Sequence, residues 1–305
     1  MNELFRKLKD GTIRNLITHA GKFHADDVFS TALVSLVQPD YTLKRVPKVT
    51  DDMINDYTLI YDIGGKEYDH HQPNAEWRTE EEGGIKYAAF GLLWRELGAD
   101  LLGSEDLAEK FDKDFVQIID NTDNTGEPNM LSTQVSMFSP AWDEEQDFDT
   151  AFNKAVEWAR EILSRSINNM ISTKRAEQYI INAVNDAHEE GHGNVIILDK
   201  FAPYAGTLAA INDTLADVDK VKFVVYPSIR EKGAYNAMTV KESSASNIDL
   251  CPFPEEWAGK TDFSDTELTS LTFCHVARFI ISGSDLTDVV AACEYAIEVQ
   301  RELEV

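Results

Sequence analysis

The 305-residue chain is 43% hydrophobic and 27% charged, a globular composition that excludes disordered and collagen-like classes and leaves room for one large or two ordinary domains. Its 28 Lys and Arg stand against 54 Asp and Glu, a formal net charge of −26. That balance argues against extensive duplex nucleic acid as a partner, while a locally positive metal site would still accept a small phosphorylated substrate. No apolar stretch approaches the ~18 residues of a membrane helix, and the opening MNELFRKLKDGTIRNLITHA lacks the apolar core and cleavage site of a signal peptide. A soluble, cytoplasmic protein with no membrane partner is expected.

In chain order, Leu16-Ile17-Thr18 follows a polar opening and reads as a short buried strand. From Ala25 to Val37, apolar Val28, Phe29, Ala32, Leu33, Leu36 and Val37 recur at three- and four-residue steps, the period of an amphipathic helix. Pro39-Asp40 stops it. Tyr41 to Val46 reads as a second strand and Tyr57 to Ile63 as a buried third, ahead of Gly64-Gly65. Helices are expected over Ile85 to Leu97, ended by Gly98, and over Leu107 to Ile119; the Asn- and Gly-bearing segment beyond reads as an acidic loop. Phe148 to about His188 is one long helical stretch, whole or kinked, closed by Gly191-His192-Gly193. Val195 to Leu198 and Phe223 to Tyr226 read as buried strands around a helix. Ala234 to Val240 and Phe279 to Ile281 add two more, before a C-terminal helix from about Leu286 to Leu303. Cys251, Cys274 and Cys293 form no CxxC pair and fit a reducing compartment as core residues.

Strands alternating with helices imply an α/β fold with a parallel sheet. The expected organisation is an N-terminal α/β domain over 1–145, with helices on both faces of its sheet. A helical connector over 146–192 and a smaller second α/β domain over 193–305 complete it.

Three segments concentrate hard metal ligands. Thr18-His19-Ala20-Gly21-Lys22-Phe23-His24-Ala25-Asp26-Asp27 lies just past the first strand, Asp62 stands at the end of the third, and Asp69-His70-His71 follows. Imidazole with carboxylate and without cysteine suits Mn, Fe, Zn or Co. In an open parallel sheet, ligands gather beyond the carboxyl ends of the strands, where His19 and Asp62 sit. A fourth acidic cluster, Ile119 to Gly126, offers Asp120 or Asp123 to close the site from the far side. Taken singly, each segment has a plainer account: a hydrogen-bonded core His19, an Asp26-Asp27 pair favoured by the helix macrodipole, a polar turn at 69–71, ordinary loop chemistry at 120–123. Their shared position, each just after an element of one domain, makes a metal site the better account.

The ordered set resembles the DHH phosphoesterase superfamily and, within it, the MYG exonuclease family, also described as metal-dependent protein hydrolases. The resemblance rests on THAGKFHADD at 18–27, YDIGGKEYDHHQ at 61–72, GIKYAAFGLLWRELG at 84–98 and IIDNTDNTG at 118–126. Near the other end, PFPEEWAGKTDFSDTELTSLTFCHVARFIISG at 252–283 extends it over most of the chain. It implies a two-metal centre, usually two Mn²⁺, with Mg²⁺, Co²⁺ or Zn²⁺ as alternatives. His19, His24 and Asp26 are the implied first-motif ligands, with His24 standing where many DHH enzymes carry aspartate. Asp62 would bridge the metals and His70 would be the third-motif ligand, with Asp69 or His71 behind it or on the substrate. Asp123 fits the fourth motif, with Asp120 a close competitor. FIISG stands where the family pattern has a paired glycine after the aromatic, and His275 is the substrate-binding candidate of the second domain; a core histidine is its other account.

The implied activity is phosphodiester hydrolysis by a water activated between two ions ~3.5–4 Å apart, as a 3′–5′ exonuclease on short or single-stranded RNA. His71 would donate a proton to the leaving oxygen, with Asp69 beside it. A long strand would need several Lys/Arg contacts, so short RNA or a small phosphorylated molecule is the expected partner. A pyrophosphatase or small-nucleotide phosphodiesterase, a metal-dependent amide hydrolase using zinc, and a non-catalytic protein with closed coordination are the competing expectations. The sequence leaves oligomeric state open.

Overall fold

The structure is a computed structural model and describes residues 1–73, 76–78, 84–191, 193–243 and 245–303. The chain divides into two compact units, Met1–Ile171 and Ser172–Val305.

In the first unit, the polar opening is a helix, α1 (Glu3–Lys9), whose N-cap Asn2 accepts from the Leu4 amide at 2.7 Å and whose Leu4, Phe5 and Leu8 are buried. β1 (Asn15–His19), β2 (Thr42–Val46) and β3 (Thr58–Ile60) make a parallel sheet of order β2-β1-β3. The register sets His19 beside Val46 and Ile17 beside Ile60. Parallel pairing therefore brings the end of β1, and Asp62 two residues past β3, to the same edge. α2 (Ala25–Val37) links β1 to β2. The one-sided helix expected there is instead buried on every side from Ala25 to Ser35. Two of its hydroxyls are paired: Thr31 Oγ1 lies 2.8 Å from the Asp27 carbonyl and 2.6 Å from Tyr61 OH, and Ser35 Oγ donates to the Ala32 carbonyl at 2.6 Å.

α3 (Ala89–Leu102) runs straight through Gly98, which was expected to end it; the left-handed cap is Gly103, at φ 69°. Gly98 is present for packing, since a Cβ there would stand 2.6 Å from Cε2 of Trp94. α4 (Glu105–Phe111) is capped by Ser104, and a π-turn over Asp112–Val116 leads into α5 (Gln117–Thr125). The helix expected over 107–119 is helical throughout, with the π-turn inside it, and one expectation is corrected: the segment expected to be an acidic loop is helical. Gly126, taken as a loop marker, is the left-handed residue after the helix at φ 76°. The Thr122 and Thr125 hydroxyls donate to the carbonyls one turn back, at 3.1 and 2.6 Å. α6 (Met130–Ser136), capped by Asn129, has no apolar period to announce it.

α7 (Phe148–Glu189) is a single helix of 42 residues, and the division between the units falls inside it. Phe152, Val156, Ala159, Leu163 and Ile167 belong to the core of the first unit, with Phe29, Leu33 and Leu93. Ala176, Ile180 and Val184 belong to the second, with Ile196 and Leu208. Of the Gly-His-Gly expected to close it, His192 lies outside the described residues.

The second unit holds β4 (Val195–Ile197), α8 (Ala205–Asn212), β5 (Phe223–Pro227), β6 (Tyr235–Thr239), β7 (Leu271–Cys274), β8 (Ile280–Gly283) and α9 (Leu286–Leu303). Its sheet, β4-β5-β6-β8-β7, is mixed: β4 and β5 are parallel and the other pairings antiparallel. No helix among the described residues is long and apolar enough to cross a membrane.

Candidate metal centre

The site is assembled at the ends of β1 and β3 and the start of α2. His24 is the N-cap of α2, and its amide donates to Asp27 Oδ1 at 3.0 Å. The other Asp27 oxygen lies 3.1 Å from His19 Nε2, which is also 3.2 Å from Asp62 Oδ2. Asp62 has a left-handed backbone, φ 56°, and its amide donates to the Tyr68 carbonyl at 2.9 Å. That reversal lets the chain return with Asp69-His70-His71. His70 Nδ1 is 3.4 Å from Asp62 Oδ1 and 3.8 Å from Asp26 Oδ2, while its Nε2 is 2.8 Å from Asp123 Oδ2. His24 Nδ1 is 3.7 Å from Asp123 Oδ1.

Among the described residues three groups result, each with ligand atoms within 4.8 Å of one another: His19, Asp27 and Asp62; Asp62, His70 and His71; His24, Asp26 and Asp123. Asp62 is common to the first two.

The chemistry of these groups fits a cation. Both oxygens of Asp26, both of Asp62, Oδ2 of Asp27 and Nδ1 of His70 are buried without a hydrogen-bond partner. Some lie within ion-pair distance of a histidine but outside hydrogen-bond geometry. Buried carboxylate oxygens left this way are costly unless a positive charge meets them. The titration behaviour reports the same competition. Burial, then Asp62, Asp123 and Asp27, push the Asp26 carboxyl well above the usual range. Burial also raises Asp27, against the pull of His19. Burial opposes charge on His19, but Asp27 and Asp62 outweigh it and hold the imidazole up at about 10. Acid groups that must borrow protons or histidine charges are suited to a divalent ion.

Asp69 and His71 play a different part. Asp69 Oδ2 accepts from the Gly65 amide at 2.6 Å, and Oδ1 accepts from the His71 amide at 3.1 Å and lies 3.0 Å from His71 Nδ1. Burial works to raise Asp69, but these hydrogen bonds win and hold it at about 2; the same carboxylate raises His71.

The two aspartates left open by sequence are separated by the helix that carries them. Asp123, three residues beyond Asp120, reaches His70 and His24. Asp120, fully buried, is turned away: Oδ1 accepts from the Gly91 amide at 3.1 Å and Oδ2 from Arg78 Nη2 at 2.6 Å. It is in none of the three groups. Asp27 is the residue that sequence reasoning missed. The first ligand-rich segment includes Asp27, but only Asp26 of the doublet is an implied ligand; Asp27 both caps α2 and faces His19.

His275 lies in the second unit, in a turn between β7 and β8, half-buried rather than in the core. Nδ1 accepts from the Ala277 amide at 3.0 Å, which leaves the proton on Nε2 when the ring is neutral. It lines a cavity of about 630 Å³ with Phe201, Tyr226, Arg230, Asn236 and Phe279.

Comparison with known proteins gives the family of the chain. The MYG1 exonuclease family model, described as an uncharacterised protein family (UPF0160), matches residues 15–297. The MYG1 protein of Dictyostelium discoideum is 25% identical over 302 residues, covering 87% of this chain and 91% of its own. The MYG1 exonuclease of Mus musculus is 25% identical over 307 residues, covering 86% and 79% respectively. The MYG1 exonuclease of Homo sapiens is 26% identical over 307 residues, covering 86% and 80%. The match runs from β1 into α9, and on it the chain belongs to the MYG1 exonuclease family.

Proposed function

We propose that the first unit is the centre of a metal-dependent phosphodiester hydrolase of the DHH type, working as a 3′–5′ exonuclease on short or single-stranded RNA. The observation that carries this is the set of buried, unpartnered carboxylate oxygens on Asp26, Asp27 and Asp62. The exonuclease names of the mouse and human relatives support the reaction class. Asp62, shared by two groups, would hold both ions, and His19, His24, Asp26, Asp27, His70 and Asp123 would supply the remaining ligands. Two divalent ions held there, Mn²⁺ by preference, would activate water and neutralise the phosphoryl oxygens.

The remaining roles belong to the chain. Asp69 fixes the His71 ring through Nδ1 and favours its protonated form, so that this exposed imidazole carries a proton for the leaving oxygen. In the second unit, the Nε2–H of His275 and the guanidinium of Arg230 suit phosphate, and Phe201 and Phe279 offer faces for a base. The net charge of −26 favours a short substrate, and by the same observation pyrophosphate or a dinucleotide is the second reading.

The test is a gel assay of end-labelled short RNA with chelator-stripped protein, with and without Mn²⁺, beside Asp62→Asn. Stepwise shortening from the 3′ end that requires Mn²⁺ and disappears in the variant is the expected result. Intact RNA under every condition would refute the RNA substrate, and the same preparations would then be offered pyrophosphate and dinucleotides.

A further inference from the structure

We infer that Arg78, Asp112 and Asp120 form a clasp that positions Asp123 for metal binding without touching the metal. The inference rests on the metal-centre reading above; it adds Arg78 and Asp112, which no motif assigns, and gives Asp120 a role other than that of a ligand.

The local problem is one of helix rotation. α5 follows a π-turn, whose extra residue makes the phase of the next helix a matter for tertiary contacts. Arg78 spans that turn. Its Nε and Nη2 donate to the two oxygens of Asp112, at 2.8 Å each, where the turn begins. Nη2 donates also to Asp120 Oδ2 at 2.6 Å, in the helix that leaves it. Nη1 reaches the Lys86 carbonyl at 3.3 Å, and the guanidinium stacks 4.2 Å above the Tyr87 ring. The far oxygen of Asp120 is docked on the Gly91 amide. Gly91 has no room for a side chain: a Cβ would stand 1.9 Å from Asp120 Oδ2 and 2.5 Å from Arg78 Nη2. A buried arginine bridging two carboxylates with a planar fork sets direction as well as distance.

Asp123 lies three residues after Asp120, less than one turn along the same helix. Any rotation of α5 that releases Asp120 from Gly91 and Arg78 also carries Asp123 away from His70 Nε2, now 2.8 Å distant. Asn124 adds a second tie, donating from Nδ2 to the Lys86 and Tyr87 carbonyls at 3.3 Å each. The clasp thus holds a ligand in place from behind, a role whose loss costs roughly ten- to a hundred-fold in metal affinity at known sites.

The experiment is Mn²⁺ titration calorimetry on the chelator-stripped full chain, comparing wild type, Asp120→Asn, Asp123→Ala and the double variant. Asn at 120 keeps the volume and the acceptor for Gly91 but sets an amide against Arg78. Asp120→Asn is expected to weaken Mn²⁺ binding at least ten-fold, with unchanged near-ultraviolet circular dichroism. In the Asp123→Ala background the same change is expected to cost nothing further, since the ligand it orients is gone. If Asp120→Asn does not fold, Asp112→Asn cuts the other arm and carries the same expectations. Wild-type affinity in a folded Asp120→Asn protein would overturn the clasp alone. So would an equal loss in both backgrounds, which would mark a general structural role. A wild-type chain that binds no Mn²⁺ would instead refute the metal centre, and the clasp with it.

Discussion

Asp69 and His71 titrate in opposite directions because each is the other's partner, and this gives their pair a pH window. Asp69 is held at about 2 in the fold, so its contribution is present above the ordinary value of 3.8 and lost as pH falls toward 2. His71 is raised above its ordinary 6.5, so its contribution is complete below that value and lost as pH rises past it. The pair therefore contributes most between these limits. Urea unfolding of metal-stripped wild type and Asp69→Asn should show the largest difference near pH 5, and smaller ones near pH 3 and pH 8. A difference that is flat across the range would mean that the two groups are not coupled in solution. At this scale the site was largely legible in sequence, because histidines and aspartates at strand ends are few and stand out. Asp27 was not, since a carboxylate at a helix start has an ordinary explanation that hides a second one. Arg78 and Asp120 were not, because the contact that joins them spans 42 residues and has no spacing rule.

At the scale of elements, what could be read depended on where apolar residues fall. β1, β5 and α9 emerged because their inward faces are apolar at the right period. β7 did not: Thr272 and Phe273 in its middle are exposed, so neither alternation nor an apolar run marks it. α5 was hidden for another reason, since QIIDNTDNT is rich in residues that favour turns, and tertiary ties of the kind made by Asp120 and Asn124 override that preference. Gly98 shows how one residue type misleads. It was read as a helix stop, yet it makes room for the Trp94 indole, which donates to the Ala108 carbonyl at 3.0 Å and stacks 4.6 Å from Phe111. Gly98→Ala would gain ~1 kcal/mol in helix propensity and lose ~1–3 kcal/mol to overpacking against a ring that is itself pinned. The expected net is a loss of about 1 kcal/mol, seen as a lower urea midpoint. A raised midpoint would show that the indole moves aside freely.

At the scale of the whole molecule, acidity poses a problem that bound cations relieve. Part of the −26 is surface charge and answers to any salt; the rest is concentrated among buried groups and answers only to an ion that enters. Mn²⁺ added to stripped protein should raise the melting temperature well beyond what NaCl of equal ionic strength achieves. Binding at a hundred times Kd is worth about 2.7 kcal/mol. Asp62→Asn should retain the response to NaCl and lose most of the response to Mn²⁺, both read by differential scanning calorimetry. Equal responses in the two proteins would assign the whole effect to screening. The chain forms two compact units, Met1–Ile171 and Ser172–Val305. No dividing point is marked in the sequence of α7, because a helix of 42 residues shows one unbroken period while serving two separate cores.

The left-handed backbone at Asp62 also has a genetic consequence. Single-base changes in an aspartate codon reach Asn, Gly, Ala, Val, His, Tyr and Glu. Among these only Asn and Gly settle readily at φ 56°, and neither carries a negative charge. Glu keeps the charge but has neither the backbone tolerance nor the reach of the shorter side chain. Shape admits Asn and Gly and charge admits Glu alone, with no member in common. The codon therefore has no neutral neighbour except its synonym, and a survey of all single-base variants should find every missense change at this position impaired.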